Sequence, residues 1–344
     1  MTPAVDAMKV PASEWSPGKA KLAETPFDIA CLGILVADIV VRPVDKLPHS
    51  GRLELVDEIV LRSGGSALNT ATVLSHLGLR VMLSGKVGSD PFGRFLLEAT
   101  DANGLRREGV TVDAKSQTSA TVALVDTRGE RSFLHCLGAD GTLEPADINR
   151  DWIFSGCALH IGGALALPKL DGQAMAEILA EGRRRGLLTS VDSVWDDTGN
   201  WRRIDPCLRG LDIFAPSLAE AREITGQDDP RRMATALHEL GVRDVAIKLG
   251  PAGSFVSGDD FQGYIETVPV RTVDGTGAGD AFVAGLLYGK LARWSLAEAA
   301  RLGNAAGALA VTALGATEAF RDIDGVAALV ATLEECRQHH ESSS

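Results

Sequence analysis

The chain has 344 residues, 45% of them hydrophobic and 23% charged, with a formal net charge of −12 at pH 7. This composition is typical of a globular protein with a large buried core, arranged as one large α/β domain or as two domains. The acidic balance and the lack of a basic stripe argue against a nucleic-acid partner. No apolar run reaches the roughly 18–20 residues of a membrane span, so we also expect no membrane partner.

The cysteines are scattered along the chain, odd in number and without a CxxC pair; they are Cys31, Cys136, Cys157, Cys207 and Cys336. This pattern is typical of free thiols in a reducing compartment. The N-terminus has no basic-then-apolar secretion signal. We therefore predict buried free cysteines and a cytoplasmic location.

The first stretch of the chain has no periodicity. Residues 1–26 mix Pro, Ser, Glu and Lys, and residues 338–344 are similar, so we predict extended tails at both ends. A short apolar run over 27–33 predicts the first buried strand. Asp38 follows on the way into a loop. An acid there either forms a turn or binds polar ligand groups, and the spacing leaves both interpretations open.

Two segments of alternating sequence interrupt an otherwise α/β chain. Residues 39–62 and 118–137 each predict a strand, a turn and a second strand with one half-exposed face. Between them a helix opens near Gly64 and Gly65, followed by a strand and another helix. The four antiparallel strands predict a small second sheet over the main one, whose core comprises residues 27–38, 63–117 and 138–337.

From residue 157 the chain alternates regularly between short apolar strands and amphipathic helices. We predict strands over 157–162, 187–192, 211–215 and 243–249, a hairpin over 252–270, and helices over 171–185, 217–225, 230–240, 278–293, 295–313 and 322–336. This order favours a mostly parallel sheet covered on both faces, with ligands beyond the carboxyl ends of its strands. The acidic, hydroxyl and glycine residues that follow predicted strands should gather at that edge: Asp38, Gly64, Gly65, Asp192, Ser217, Glu220, Gly250 and Asp280.

One glycine loop lies between a predicted strand over 268–273 and an apolar helix. It contains Gly275, Gly277 and Gly279 and ends at Asp280. Unpaired N–H groups at a helix start, with the helix dipole, form an anion site that glycine leaves open to a ligand. Asp280 is either an acid favoured by the helix dipole or a proton acceptor. The GxxxxGK[ST] phosphate loop is absent from the sequence.

Five motifs in order give the chain a family resemblance. They are Gly33-x4-Asp38; Gly64-Gly65-Ser-Ala-x-Asn69-x-Ala71 with Gly85-x-Val87-Gly88-x-Asp90-x-x-Gly93; Lys248-Leu-Gly-x-x-Gly253; Asp274-Gly-Thr-Gly-Ala-Gly-Asp280-Ala-Phe; and Asn304-Ala-Ala-Gly-Ala-Leu-Ala-Val-x-x-Leu-Gly-Ala316. From about residue 27 to residue 335 the chain resembles the ribokinase/PfkB carbohydrate kinases. The resemblance implies a three-layer ribokinase-like α/β fold with a mostly parallel central sheet and a small β-sheet lid, formed by the two inserted segments.

The resemblance also implies a reaction, the ATP-dependent phosphorylation of a hydroxymethyl group of a sugar or sugar derivative. Asp280 would be the general base, and the N–H groups of Gly277, Ala278 and Gly279 would form the anion hole. The residues that match sugar-binding positions are Asp38, Gly64, Gly65 and Asn69, and those that match ATP-binding positions are Lys248, Gly250, Gly253 and Asn304. We expect specificity to come from His135, Arg131, Trp195 and Trp201.

Two positions depart from the family pattern. The family's NxxE motif, which organises Mg²⁺, appears as Ser217-x-x-Glu220, so Glu220 is expected to hold Mg²⁺ through water. Asp274, with backbone carbonyls around 313–315, resembles a site for a monovalent cation such as K⁺. Gly275 replaces the usual Thr, Ser or Pro after Asp274 and weakens that inference.

Two alternatives stay open at the level of sequence. A nucleoside kinase of the same family would use Trp195 and Trp201 as platforms for the base. A non-catalytic member would bind sugar or nucleotide only as a sensor. For the sugar kinase and for both alternatives, the resemblance implies a homodimer that pairs through the lid.

Overall fold

The computed structural model describes residues 25–128 and 130–321. Most of the tail predicted over 1–26, the helix predicted over 322–336 and the tail predicted over 338–344 lie outside the described residues. Within that part of the chain, no helix combines the length and the apolar character that crossing a bilayer requires.

The strands of the described residues fall into two sheets. They are β1 (Ile29–Gly33), β2 (Val36–Arg42), β3 (Glu58–Gly64), β4 (Val81–Gly88), β5 (Arg106–Asp113), β6 (Ala120–Val125), β7 (Arg131–Cys136), β8 (Ala158–Ala164), β9 (Leu188–Ser193), β10 (Ile213–Phe214), β11 (Asp244–Lys248), β12 (Ser254–Ser257) and β13 (Gln262–Ile265). The helices of the same residues are α1 (Ser66–His76), α2 (Pro91–Ala102), α3 (Arg150–Ile153), α4 (Gln173–Arg184), α5 (Asp205–Leu208), α6 (Leu218–Thr225), α7 (Pro230–Glu239), α8 (Ala278–Leu291) and α9 (Leu296–Ala310).

The large sheet has the order β13-β12-β11-β10-β9-β8-β1-β4-β5. All its neighbouring strands pair in parallel except β11 with β12 and β12 with β13, which are antiparallel. The mostly parallel sheet predicted from the sequence is therefore confirmed. Strand β5 had not been predicted, because its charged and half-exposed residues at the sheet edge give no continuous apolar run.

Apolar side chains cover both faces of the large sheet. In β1 every residue is buried, and alternate side chains enter different clusters: Ile29 and Cys31 on one face, Ala30 and Leu32 on the other. Helices α1, α8 and α9 supply the first cluster, and α4 and α7 contribute to the second. The result is the expected three-layer arrangement.

The lid is the small sheet β3-β2-β6-β7. Its two hairpins are antiparallel, as expected, and meet through a parallel pair between β2 and β6. Asp38 lies inside β2, so the chain enters the lid directly after β1 instead of forming a loop there. The side chain of Asp38 shares one lid face with those of Arg62, Thr121 and His135, because they stand opposite one another in the pairing register.

The strand predicted over 268–273 is wrong. This segment is irregular, and it runs from the sheet edge to the start of α8. Pro269 removes one N–H group that a strand would need. The N–H groups of Val273 and Asp274 donate to the carbonyl of Val311, at 2.7 and 3.3 Å, so the segment is anchored to the end of α9 and not to a neighbouring strand.

The prediction of uniformly buried cysteines holds only in part. Cys31 and Cys207 are buried, Cys157 is half-buried, and Cys136 on β7 is exposed. Burial raises the pKa of Cys31, and it raises the pKa of Cys207 to about 12, so both stay as neutral thiols at physiological pH. Cys336 lies outside the described residues.

Helices α8 and α9 pack at close range through glycines. A Cβ atom on Gly285 would lie 2.7 Å from the carbonyl oxygen of Leu302. One on Gly303 would lie 2.8 Å from the carbonyl oxygen of Phe282. Since real Cβ atoms do not approach backbone so closely, these glycines fix the distance between the helices and with it the position of the α8 N-terminus.

Gly303→Ala is therefore expected to destabilise the protein by about 1–3 kcal/mol, because overpacking forces two backbones apart. Equilibrium unfolding in urea measures this loss. Gly182→Ala is the matched control: it lies in α4, where the nearest atom to a new Cβ would be at 3.4 Å, an ordinary contact. An unchanged unfolding free energy in Gly303→Ala would contradict this account of the helix pair.

Candidate active site

The acid singled out by the sequence, Asp280, lies in the first turn of α8. Its Oδ2 accepts a hydrogen bond of 2.7 Å from Nδ2 of Asn69, which α1 supplies. Burial raises the pKa of Asp280, against the opposing effects of the Asn69 hydrogen bond and of the positive charge on Lys248. A half-buried carboxylate with raised proton affinity is well suited to accept a proton.

The N-terminus of α8 is open to an anion. Gly277 is its N-cap residue, in the left-handed region at φ 75°, and none of the described side chains caps the helix there. A Cβ atom on Gly277 would lie 2.5 Å from Cβ of Ala316, so only glycine fits. The N–H groups of Ala278 and Gly279 follow directly, at the positive end of the helix dipole.

Lys248 adds a positive charge to this helix end. A Cβ atom on Gly279 would lie 3.3 Å from Nζ of Lys248, so the glycine gives the ammonium group room beside the backbone. Nζ lies 2.6 Å from Oδ1 of Asp192. Burial lowers the pKa of Lys248, but the negative charges of Asp192 and Glu220 outweigh it and raise the pKa overall. Lys248 is therefore a charged ammonium group.

Asp192 is a site residue whose role the sequence did not predict, although its place after a buried strand was a signal. Burial raises its pKa; the charge of Lys248 opposes this, and the charges of Glu220 and Asp280 add to it. It is the next-to-last residue of β9, Lys248 is the last residue of β11, and the two strands flank the two-residue strand β10. The carboxyl edge of the sheet thus brings both together, as expected.

Ser217 and Glu220 form a capping box at the start of α6. The Ser217 N–H donates to Oε2 of Glu220 at 2.8 Å, and the Glu220 N–H donates to Oγ of Ser217 at 3.2 Å. Oγ of Ser193 donates to the same carboxylate oxygen at 3.2 Å. The departure from the family motif therefore keeps a helix cap, and Glu220 stays buried beside the Lys248–Asp192 pair.

Acidic side chains concentrate around one lysine at this edge of the sheet. The negative charges of three carboxylates raise the pKa of the Lys248 ammonium group; they belong to Asp192, Glu220 and Asp280. No group of three or more His, Cys, Asp or Glu side chains within the described residues could by itself hold a metal ion. Mg²⁺ binds readily with few protein ligands when water and phosphate oxygens complete its shell. Glu220 would therefore contribute charge and water contacts to Mg²⁺.

Asp38 reaches the same site from the lid. Burial raises its pKa to about 6; a hydrogen bond from Thr121 opposes this, and the negative charges of Asp280 and Asp274 add to it. Gly64, on the neighbouring strand β3, lies so close that any Cβ there would collide with the Asp38 carboxylate. Gly65, at φ 95°, has no room for a side chain beside the carbonyl of Ile34. The two glycines thus make space for the carboxylate and for close backbone packing.

His135 lies on the same lid face as Asp38. Its Nδ1 is 3.0 Å from Oγ1 of Thr121. Burial lowers the pKa of His135, so the ring is neutral at physiological pH. A neutral imidazole on this face can exchange hydrogen bonds with a ligand below the lid.

The scan of family profiles matches the pfkB family of carbohydrate kinases over residues 27–323. The chain belongs to this family.

Curated relatives agree with this assignment. An uncharacterized sugar kinase of Archaeoglobus fulgidus is 32% identical over 262 residues, which cover 73% of this chain and 99% of the relative. The 2-dehydro-3-deoxygluconokinase of Bacillus subtilis is 31% identical over 281 residues, 76% of this chain and 82% of the relative. The protein is a carbohydrate kinase.

Solved structures confirm the ribokinase-like fold. Arabidopsis thaliana ribokinase, complexed with ribose and ATP, superimposes with a TM-score of 0.78 at 24% identity over 88% of this chain and 98% of that one. A fructokinase from Xylella fastidiosa with bound ATP gives a TM-score of 0.75 at 22% identity over 89% of this chain and 99% of that one.

The positions predicted to bind ATP in this pfkB kinase lie on two sides of one segment. Asn304 donates from Nδ2 to the carbonyls of Ile265 and Glu266, at 2.9 and 3.2 Å. Gly253, at φ 87°, leaves room for the carbonyl of Ile265. Both residues therefore brace the chain after β13. Gly250 opens the turn that follows Lys248, and a Cβ there would touch nothing.

The two tryptophans differ in exposure. Trp201 is 7% exposed and packs into the core, whereas Trp195 is 56% exposed. Their rings meet edge to face, with centroids 5.2 Å apart. Trp201 thus packs its loop and is not a ligand platform, which leaves Trp195 as the one of the two that a ligand could reach.

Asp38→Asn should change how stability depends on pH. The folded pKa of Asp38 is about 6 against an ordinary 3.8, so the wild type holds extra stability below pH 4 and loses it as the pH rises through 6. We expect the variant to lose about 1–3 kcal/mol less than the wild type between pH 4 and pH 7. Urea unfolding at both pH values measures this, with the exposed Asp259→Asn as control. Equal losses in wild type and Asp38→Asn would contradict the burial of this carboxylate.

Proposed function

We propose that this kinase transfers the γ-phosphoryl group of ATP to a hydroxymethyl group of a sugar or sugar derivative. The observation that carries the proposal is the Asp280 carboxylate beside the uncapped N-terminus of α8, with the Lys248 ammonium group against Gly279. An acid next to an anion site would be repelled by a bound phosphate unless it takes up a proton in the reaction. The ATP-bound ribokinase and fructokinase structures with this fold support ATP as the donor.

The proposed reaction is an in-line phosphoryl transfer. The sugar hydroxyl loses its proton to Asp280 as its oxygen bonds to the γ-phosphorus, and the bond to the β-phosphate oxygen breaks to release ADP. The N–H groups of Gly277, Ala278 and Gly279 stabilise the charge on the transferring group, and Lys248 adds a positive charge at the same place. Mg²⁺, when bound, would neutralise the phosphate charge near Glu220. Asn69 orients the Asp280 carboxylate through its 2.7 Å hydrogen bond.

The acceptor is proposed to lie between the lid and α1. Asp38 offers a carboxylate to paired sugar hydroxyls, and Gly64 and Gly65 keep backbone close to it. Arg62 stands opposite Asp38 on the same lid face, and its Nε is buried without a hydrogen-bond partner within the described part of the chain. By contrast, Lys86 is paired at 2.9 Å with Asp147. An acceptor with a carboxylate could use Arg62, so sugar acids belong in any substrate survey.

A nucleoside acceptor has less support. Of the two rings predicted as base platforms, Trp201 is buried, and only Trp195 presents an exposed face. The sensor alternative has less support still, because the half-buried Asp280 carboxylate, the uncapped helix N-terminus and the lysine beside it all support a catalytic site.

Asp280→Asn should lower kcat by about 10²–10⁴-fold, because the amide cannot take the hydroxyl proton. ATP consumption is measured against a panel of sugars, sugar acids and nucleosides. Glu298→Gln is the matched control, since Glu298 is a first-turn acid that caps α9 with Ser295. Undiminished turnover in Asp280→Asn would exclude the base assignment. Wild-type protein that binds but phosphorylates none of the compounds would favour the sensor.

We further propose a homodimer that pairs through the outer face of the lid. Alternation places Asp38 and His135 on the inner face, so the opposite face carries Ile39, Val41, Ile59, Leu61, Val122, Leu124 and Leu134. Ile59 is 67% exposed and Leu134 63%. An apolar sheet face of this kind is typical of a protein interface, and a second copy supplies a matching apolar face by symmetry.

Ile59→Arg is expected to shift the protein from dimer to monomer, because a charge would be buried at the interface. Sedimentation velocity across a concentration series measures the change. Val112→Arg, at a 51% exposed apolar position on β5 of the other sheet, is the control. A monomeric wild type, or a dimer that survives Ile59→Arg unchanged, would count against the lid interface.

A further inference from the structure

Arg131 connects the lid to the loop that precedes the anion hole. It begins β7, and its Nη1 lies 2.8 Å from Oδ1 of Asp274 and also donates to Oγ1 of Thr276. The guanidinium carbon stands 5.8 Å from the ring centroid of Phe133, two residues along the same strand face. This is a contact between two parts of the fold, because β7 belongs to the lid and Thr276 directly precedes the N-cap of α8.

Asp274 is a hub of hydrogen bonds on the core side of this contact. Besides Arg131, its carboxylate accepts from the Thr276 N–H at 2.9 Å, from Thr276 Oγ1 at 2.7 Å and from the Gly315 N–H at 3.0 Å. Burial raises the pKa of Asp274, but these donors and the charge of Arg131 outweigh it and lower the pKa overall. The carboxylate is therefore ionised, and its counter-charge is the guanidinium group.

Gly275 leaves room for this arrangement. A Cβ atom at this position would lie 3.3 Å from Nη2 of Arg131, tighter than most real Cβ contacts. A larger residue, such as the Thr that the family resemblance leads one to expect, would press its γ atoms against the guanidinium. The departure from the family pattern at residue 275 thus gives space to the guanidinium group of Arg131.

A monovalent cation does not fit beside Asp274 in this arrangement. The carboxylate already has four hydrogen-bond donors, one of them a full positive charge, so a second cation would be repelled. Gly315, in the segment expected to offer carbonyl oxygens to the ion, here directs its N–H group to Asp274. The residues present therefore do not favour the K⁺ site that the resemblance implied.

We propose that Arg131 is a positioning residue that takes the place of the monovalent cation. Its guanidinium group neutralises Asp274 and holds the loop 274–276. The anion hole is therefore ordered only when the lid is closed. The catalytic part of this proposal rests on the proposed function. Because the positively charged guanidinium group belongs to the lid, closing the lid and ordering the anion hole become one event. Phosphoryl transfer is then confined to a site from which water has been excluded.

The first test compares Arg131→Ala, Arg131→Lys and Arg128→Ala. Arg128 is the matched control, because it lies in the turn before β7 and pairs with Asp126 of the same turn, away from Asp274. Turnover is measured with K⁺ and with tetramethylammonium as the only monovalent cation. We expect the wild type and Arg128→Ala to be indifferent to K⁺. Arg131→Ala should lose on the order of 10²-fold in kcat, as a misplaced site does, and regain part of it in K⁺; Arg131→Lys should lie between.

The second test changes Gly275 instead of Arg131. Gly275→Thr should behave like Arg131→Ala, because both weaken the same contact, and the double variant should be little worse than either single one. Losses that multiply in the double variant would overturn the coupling. A wild type that needs K⁺ for activity, or an Arg131→Ala variant with wild-type kinetics, would overturn the replacement of the cation.

A readout without turnover separates this proposal from the proposed function. In hydrogen exchange followed by mass spectrometry, Arg131→Ala should exchange faster than Arg128→Ala in residues 272–280, because the loop has lost its anchor. This expectation holds even if no tested sugar is phosphorylated. Equal exchange in the two variants would show that Arg131 does not hold the loop 274–276, whatever the substrate is.

Discussion

The ion pair between Lys248 and Asp192 is the interaction on which the site depends. It joins the carboxyl ends of β9 and β11 across the short strand β10, with 2.6 Å between the charged atoms. Burying two charges is costly unless they are paired, so this pair fixes the ammonium group in one place. That place is against Gly279, where the helix dipole of α8 already favours negative charge. The sheet edge, the helix end and the lysine therefore converge on the proposed anion site.

The second constraint is the spacing of α8 from its neighbours. Glycines between α8 and α9 bring these helices to backbone contact, and Gly277 abuts Ala316 in the segment after α9. Asn69, on α1, reaches Asp280 in the first turn of α8. The carboxylate proposed as the general base is thus placed by packed helices, whereas the groups proposed to recognise the sugar come from the lid. Such a division lets the lid vary with the acceptor while the phosphoryl site stays fixed.

Much of this protein follows from local sequence. Apolar runs predicted the strands of the parallel sheet, because burial on both faces leaves no polar alternation to confuse them. Alternating segments predicted the lid strands, because a sheet with one more exposed face alternates apolar and polar residues. Errors fell where local pattern and tertiary environment disagree: β5 has the charged residues of a sheet edge, and 268–273 is apolar yet pairs with the end of α9. Trp201 could not be distinguished from Trp195, because burial depends on what packs over a loop.

The sequence by itself determined the order of the motifs, the glycine loop and the acid at its end. These are features of neighbouring residues, so a short window contains them. Only the tertiary structure decided that Lys248 pairs with Asp192 and that Arg131 meets Asp274 across 143 positions of sequence. The physical reason is that electrostatic partners are chosen by distance in space, and spatial distance is set by the sheet order and the lid register, which no local pattern encodes. Gly275 shows the difference: by sequence it is a missing hydroxyl, and in the fold it is the space that a guanidinium group fills.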